Sequence, residues 1–385
     1  MAEKKRAANI ELLRIIAMMM VVVLHFMRES GSLPTTEAAM SGIPLTTVNL
    51  LATFFESFCI VAVNVYILIS GYFGVKARWR PSKVIGFVGQ IWFYAIGLVL
   101  VFDILGLSKA LGFAPAMEVS GIYKWIKYLL PVSTGHYWFA TAYFYLLLLM
   151  PLLNMAVSAM NKKQFTTVLA FLLIVFCGIK SLCPVELTMD SYGYDVVWFV
   201  CVYLTGAWLR LYGKEVPGEK IRKYALPVYV VSCFLIGSLM LLLYVILEKV
   251  SAASYYYTIL LHYNFVLCLT GAVGLFLFFE KLTLKEGSLT QIIRKAGKYC
   301  FGVYLLHEHL NLSKNWYPFL QKAVNPNQNE GVIYLLTELL FCVAVIFAVG
   351  MIIEICRSAA SGLISRRLLG KKADALDALF EKKEG

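Results

Sequence analysis

Up to ten apolar runs, each near the length of a membrane-crossing helix, follow one another along the 385 residues. A helix needs about 20 apolar residues to cross the hydrocarbon core of a bilayer. No water reaches that core to satisfy backbone N–H and C=O groups, so only helices and closed barrels span it. Continuous apolar runs of this length, without period-2 alternation, select the helix. Composition agrees, with 60% hydrophobic and only 15% charged residues. Ordinary soluble domains carry about 45–50% apolar and about 25% charged residues. A disordered chain, a disulfide scaffold and an ordinary soluble enzyme are excluded. The expected fold class is all-α, a polytopic membrane helical bundle.

The runs place spans at 10–27, 48–71, 84–107, 137–157, 165–182, 196–212, 225–247, 257–279, 299–314 and 331–356. The segment 118–131 has charges at helical spacing and reads as an interfacial amphipathic helix. With the N-terminus inside, 26 of the 35 Lys and Arg residues fall in inner segments and eight in outer ones. Positive charge gathers on the cytoplasmic side, which supports N-in and C-in with an even number of spans, about ten. The net charge of +12 is thereby topological, and no nucleic-acid partner is expected. The basic start and apolar first run imitate a signal peptide. No small-residue cleavage site directly follows Leu24–Met27, so the run reads as a retained helix. The nine cysteines lie mostly within apolar runs and show no CxxC or Cys/His ligand spacing. They read as buried free thiols, and no metal site is expected. Residues 1–356 form one membrane-embedded unit, and 357–385 a charged tail.

Polar residues inside spans are costly in hydrocarbon and usually face a cavity or one another. The first span holds Glu11, Arg14 and His25. Eleven residues at 100° each make about 1100°, three turns plus about 20°, so Arg14 and His25 project from one face roughly 16 Å apart. One face of one helix carries a fixed cation near the cytoplasm and a titratable imidazole near the exterior. Snorkelling of Arg14 and an interfacial His25 are the bland alternative. In the second span Glu56 lies about 12 Å deep, within one helical turn of the level of His25. A carboxylate there orients the imidazole; otherwise it is a protonated acid bonded to a neighbouring helix.

The second span ends with Ser70, and GYFGVKARWRPSK follows, with Lys76, Arg78, Arg80 and Lys83 around Trp79. The cluster reads as positive-inside charge, or as a grip on a polyphosphate, because guanidinium pairs bidentately with phosphate. His136 and Trp138 open the fourth span on the outer side. His307, Glu308 and His309 crowd the short ninth span, as a cavity wall would. Glu338, His262 and Asn264 are further polar positions, read as structural.

In this order the segments resemble the membrane-bound acyltransferase-3 family, which includes O-acetyltransferases of bacterial surface polysaccharides. The family's Arg, ten residues, then His pattern matches Arg14 and His25 in ELLRIIAMMMVVVLHF. Its second-span ending resembles VAVNVYILISGYF at 61–73, with Ser70, Gly71 and Tyr72 aligned. KARWRP at 76–81, HYWFATAYFYLLLLMPLLN at 136–154 and GKYCFGVYLLHEHL around His307 follow in register. The resemblance covers residues 9 to about 356. Tyr66 stands where Phe is usual, and Lys298 where Ser is usual.

The resemblance implies a multi-pass protein of the bacterial cytoplasmic membrane. It implies transfer of an acyl group, acetyl foremost, from cytoplasmic acyl-CoA to a hydroxyl of an extracytoplasmic or lipid-linked glycan, with no metal. His25 would be the catalytic imidazole, as general base or transient acyl carrier, with Glu56 as its partner. Arg14, Ser70, Lys76, Arg78 and Arg80 would hold the donor, and His136, Trp138 and His307 the acceptor. A secondary transporter of a small anionic substrate would also use midspan charges; no internal hydropathy repeat supports that alternative.

Overall fold

The computed structural model describes residues 6–113, 121–184, 190–215, 223–368 and 375–380. Among these every regular element is helical. The principal helices are α1 (Ala8–Ser30), α2 (Thr47–Gly74), α3 (Pro81–Val99), α4 (Ile122–Leu129), α5 (Trp138–Ala159), α6 (Lys162–Leu173), α7 (Val196–Tyr212), α8 (Ala225–Leu247), α9 (Val266–Lys281), α10 (Ser288–Gly297), α11 (Cys300–His307), α12 (Trp316–Val324) and α13 (Val332–Leu368). α3 and α6 each run on through a π-helical stretch, Leu100–Ile104 and Ile174–Ile179.

Seven helices among the described residues are long and apolar enough to cross a membrane, fewer than the ten apolar runs. They are α1, α2, α3 with its π-turn, α5, α6 with its extension, α8 and α13. Of the other three expected spans, one is a helix over its expected bounds and two are broken, for reasons that lie in their polar residues. The run 196–212 is a single helix of 17 residues. The run 257–279 breaks after Ile259, and His262, Tyr263 and Asn264 leave the helix. Asn64 of α2 donates to the freed Tyr263 carbonyl at 2.7 Å, and Tyr263 N–H donates to the Tyr192 carbonyl. The run 299–314 is helical only through His307. Beyond it, Asn311 donates to Asp103 at 2.5 Å and accepts from Tyr128 at 2.9 Å. Irregular backbone at membrane depth is tolerated where protein groups complete its hydrogen bonds.

α1 is the central helix, touching α2, α9, α10, α11, α12 and α13. Small residues let the surrounding helices close on one another. At Gly71 of α2 a Cβ would stand 2.0 Å from the Tyr203 carbonyl of α7, and at Gly206 one would stand 2.4 Å from the Leu68 carbonyl. Large apolar side chains such as Trp92, Phe93, Phe171 and Leu242 remain exposed on the outer faces, as a lipid environment requires. All nine cysteines are free thiols, seven of them buried. α13 continues past residue 356, so the end expected for the membrane unit falls inside a helix. Within the expected interfacial segment 118–131, residues 118–120 lie outside the described residues. α4 forms most of the rest, exposing Ile122 and Tyr123 and burying Tyr128.

Candidate functional site

The face of α1 that carries Arg14 and His25 also carries Met18 and Val21, at helical spacing between them. Two cavities line up along it. One, of about 240 Å³, takes Arg14, Ser70, Arg78, Trp79, Arg80 and Lys83 in its wall. The other, of about 40 Å³, is bounded by Met18, Val21 and His25 together with Tyr66, Trp138 and Tyr304. Between them stand Tyr66, Ser70 and Tyr143. Ser70 Oγ lies 3.1 Å from the Tyr143 hydroxyl, and Tyr66 donates to the Arg14 carbonyl at 2.6 Å. The Tyr66 hydroxyl, absent from the usual Phe, thus ties α2 to α1 at the neck.

The basic cavity is built by a specific device. Pro151 lies inside α5 and has no N–H, so the Leu147 carbonyl one turn back loses its helical partner. The Trp79 indole donates to that carbonyl at 2.7 Å and anchors the loop. Pro81 occupies the first turn of α3, where a missing N–H costs nothing. The neighbouring Ser82 N–H and hydroxyl donate to the Asp377 carboxylate at 3.0 and 2.7 Å. Those two bonds hold the Asp377 carboxyl below the usual aspartate range. Arg78 donates to the Asp377 carbonyl at 2.5 Å, and Phe380 packs on Trp79. Arg14 is ion-paired with the buried Glu11, which also meets Arg6 at 3.4 Å. Lys76 is not part of the wall.

At the other end, three residues from two distant segments converge. His25 Nδ1 lies 2.7 Å from His307 Nε2 and 3.2 Å from Glu308 Oε1. His307 Nδ1 lies 2.6 Å from the Val303 carbonyl one turn back in α11. A carbonyl only accepts, so His307 Nδ1 carries a proton and its Nε2 is the lone-pair nitrogen of the neutral ring. The proton between the two rings therefore belongs to His25 Nδ1. This assignment follows from the hydrogen-bond network, and it leaves His25 Nε2 with a lone pair. Arg28, one turn further along α1, donates to the same Glu308 oxygen at 2.9 Å and fixes the carboxylate.

The same three residues could hold a metal ion, since one ligand atom from each lies within 4.8 Å of the others. Two zinc-bound nitrogens with bonds near 2.0–2.1 Å stand about 3.3 Å apart in a tetrahedral site. The 2.7 Å found between the rings is the spacing of a shared proton.

Glu56, the partner expected for His25, does not orient it. Among the described residues no hydrogen bond or ion pair joins them, and Glu56 is buried with Oε2 unpartnered. His307 and Glu308 do the orienting, because α11 and not α2 presents its polar end to the Nδ1 edge. Trp138 lines the small chamber and stacks on Tyr263. His136 does not line it; its Nε2 accepts from Leu310 N–H at 3.3 Å and its ring packs on Tyr137. Sequence reasoning placed Glu308 in a cavity wall without giving it a role, and gave none to Tyr304. The polar cluster in a short span was the available signal for Glu308, and for Tyr304 it was a place three residues before His307 in the late segment GKYCFGVYLLHEHL.

A family model described as an acyltransferase domain matches residues 7–354. No curated protein and no solved structure matches the chain.

Proposed function

The chain belongs to the acyltransferase-3 family, and from that premise we propose that it moves an acetyl group from cytoplasmic acetyl-CoA to a hydroxyl of an extracytoplasmic or lipid-linked glycan. The observation that carries this reading is the α1 face, with a cation-lined cavity at its Arg14 end and a small imidazole-lined chamber at its His25 end. Coenzyme A is long, thin and anionic at one end. Its phosphates suit Arg78, Arg80, Lys83 and Arg14, because guanidinium groups pair bidentately with phosphate. Its pantetheine arm follows Met18 and Val21 past the Tyr66–Tyr143 neck. The thioester then reaches His25. A chamber of about 40 Å³ has room for only a few heavy atoms, which favours acetyl over longer chains. The charge asymmetry of the loops supports a basic cavity on the cytoplasmic side and His25 toward the exterior.

A sugar hydroxyl is a poor nucleophile at neutral pH. His25 Nε2 takes its proton as the oxygen attacks the thioester carbon. The imidazolium that forms keeps its Nδ1–H directed at His307 and lies beside the Glu308 carboxylate. Collapse of the adduct breaks the C–S bond, and the departing thiolate recovers the proton from His25.

The test is purified protein given acetyl-CoA labelled in the acetyl group, with and without candidate glycans. Label on glycan supports the proposal. Accumulation of an anionic substrate in protein-loaded vesicles, without cleavage of the thioester, would make the protein a carrier instead.

A further inference from the structure

Acyl transfer from a thioester drives negative charge onto the carbonyl oxygen, and an enzyme needs a preset donor there. The chamber that holds His25 contains a buried donor without a partner. The Tyr304 hydroxyl of α11 has no hydrogen-bond partner, although the residue is 4% exposed. Leaving such a group unpaired in an apolar interior costs about 1–3 kcal/mol. Tyr304 and His25 both line the chamber. The Tyr304 ring packs against Tyr137 and Phe139 at the start of α5. The first amides of a helix have no intrahelical acceptor. Here no capping side chain serves α5, and no backbone carbonyl accepts from Phe139 or Ala140 among the described residues. The positive end of a 22-residue helix therefore lies beside Tyr304.

We infer that Tyr304 is the oxyanion donor of the reaction, its hydroxyl bonding the thioester carbonyl oxygen beside the positive end of α5. The inference rests on the acyl-transfer reading above. As the sugar oxygen bonds to the carbonyl carbon, the C=O π pair moves onto oxygen and is met by the Tyr304 O–H. The pair returns when the C–S bond breaks, and Tyr304 keeps its proton throughout. Two groups then divide the work in one chamber, His25 handling the proton and Tyr304 the charge.

The test is Tyr304→Phe, which keeps the ring and its packing and removes the hydroxyl alone. Loss of one oxyanion donor costs about 10²–10³ in kcat. The expected result is a loss of that order in kcat, an acetyl-CoA KM raised by no more than about tenfold, and an unchanged melting temperature. A second measurement compares two inert analogues of the donor. A ketone that replaces the thioester sulfur by CH₂ keeps the carbonyl, and S-ethyl-CoA lacks it. The substitution should weaken binding of the ketone analogue about tenfold, a single hydrogen bond, and leave S-ethyl-CoA unaffected. Wild-type kcat in Tyr304→Phe, or equal loss of both analogues, would overturn the inference while leaving acyl transfer intact. Absence of thioester cleavage by the wild-type protein would instead overturn the reading beneath it.

Discussion

Glu308→Gln removes a charge and keeps a shape, and the structure sets the size of its effect. The carboxylate oxygen lies 3.2 Å from His25 Nδ1. When His25 takes the hydroxyl proton, unit charges at that distance attract by about 5 kcal/mol at an effective dielectric constant near 20. Arg28 already holds the same oxygen at 2.9 Å and offsets part of that attraction. A net effect of about 2–3 kcal/mol on the transition state corresponds to about 30- to 150-fold in kcat. The substrate complex holds a neutral imidazole, so binding of acetyl-CoA loses little. The assay is steady-state transfer of labelled acetyl by purified protein, with kcat and the donor KM separated. A fall in kcat of that order at constant KM is expected. Wild-type kcat, or a raised KM at constant kcat, would refute the reasoning, because Glu308 would then act on donor binding or on nothing.

Other expectations test the donor end and the frame. Arg80→Ala should raise the acetyl-CoA KM about tenfold and leave kcat within about twofold, as loss of a charged contact to phosphate does; an unchanged KM would return the loop to topology alone. Gly71→Ala should destabilise the protein by about 3 kcal/mol, because its Cβ would stand 2.0 Å from the Tyr203 carbonyl and α2 would have to part from α7. Its melting temperature in detergent should fall by several degrees. Gly86→Ala, where nothing lies within 4 Å, should match or exceed wild type, since alanine is the better helix former.

Much of the frame is written in hydropathy, because lipid leaves the backbone so few options. The long runs from Ala8, Thr47, Pro81, Trp138, Lys162, Ala225 and Val332 are helices close to their expected bounds. Hydropathy does not show where a helix must stop. The breaks at 260–265 and after His307 arise because Asn64, Tyr128 and Asp103 stand ready to bond backbone or side chains there. That pairing exists only once distant spans meet. The site divides in the same way. Arg14 and His25 share a face by the period of a single helix, so their spacing alone reveals it. The partner of His25 lies 282 residues away, and no periodicity within one span can reach it. Comparable depth made Glu56 a reasonable partner. Depth, however, says nothing about rotation around the bundle axis, and rotation is what gives the Nδ1 edge to His307 and Glu308. Tyr66 was legible only as a departure from Phe; its bond to the Arg14 carbonyl gives the extra oxygen a use.

The central claim is that His25 removes the proton of the acceptor hydroxyl at the end of a donor passage along α1. Its most direct measurement is acetyl transfer from labelled acetyl-CoA to glycan by purified His25→Ala, beside wild type at equal membrane abundance. A general base contributes about 10²–10⁴-fold. The account predicts loss of transfer of at least that order with acetyl-CoA still bound at wild-type affinity. Transfer at the wild-type rate by His25→Ala would contradict it.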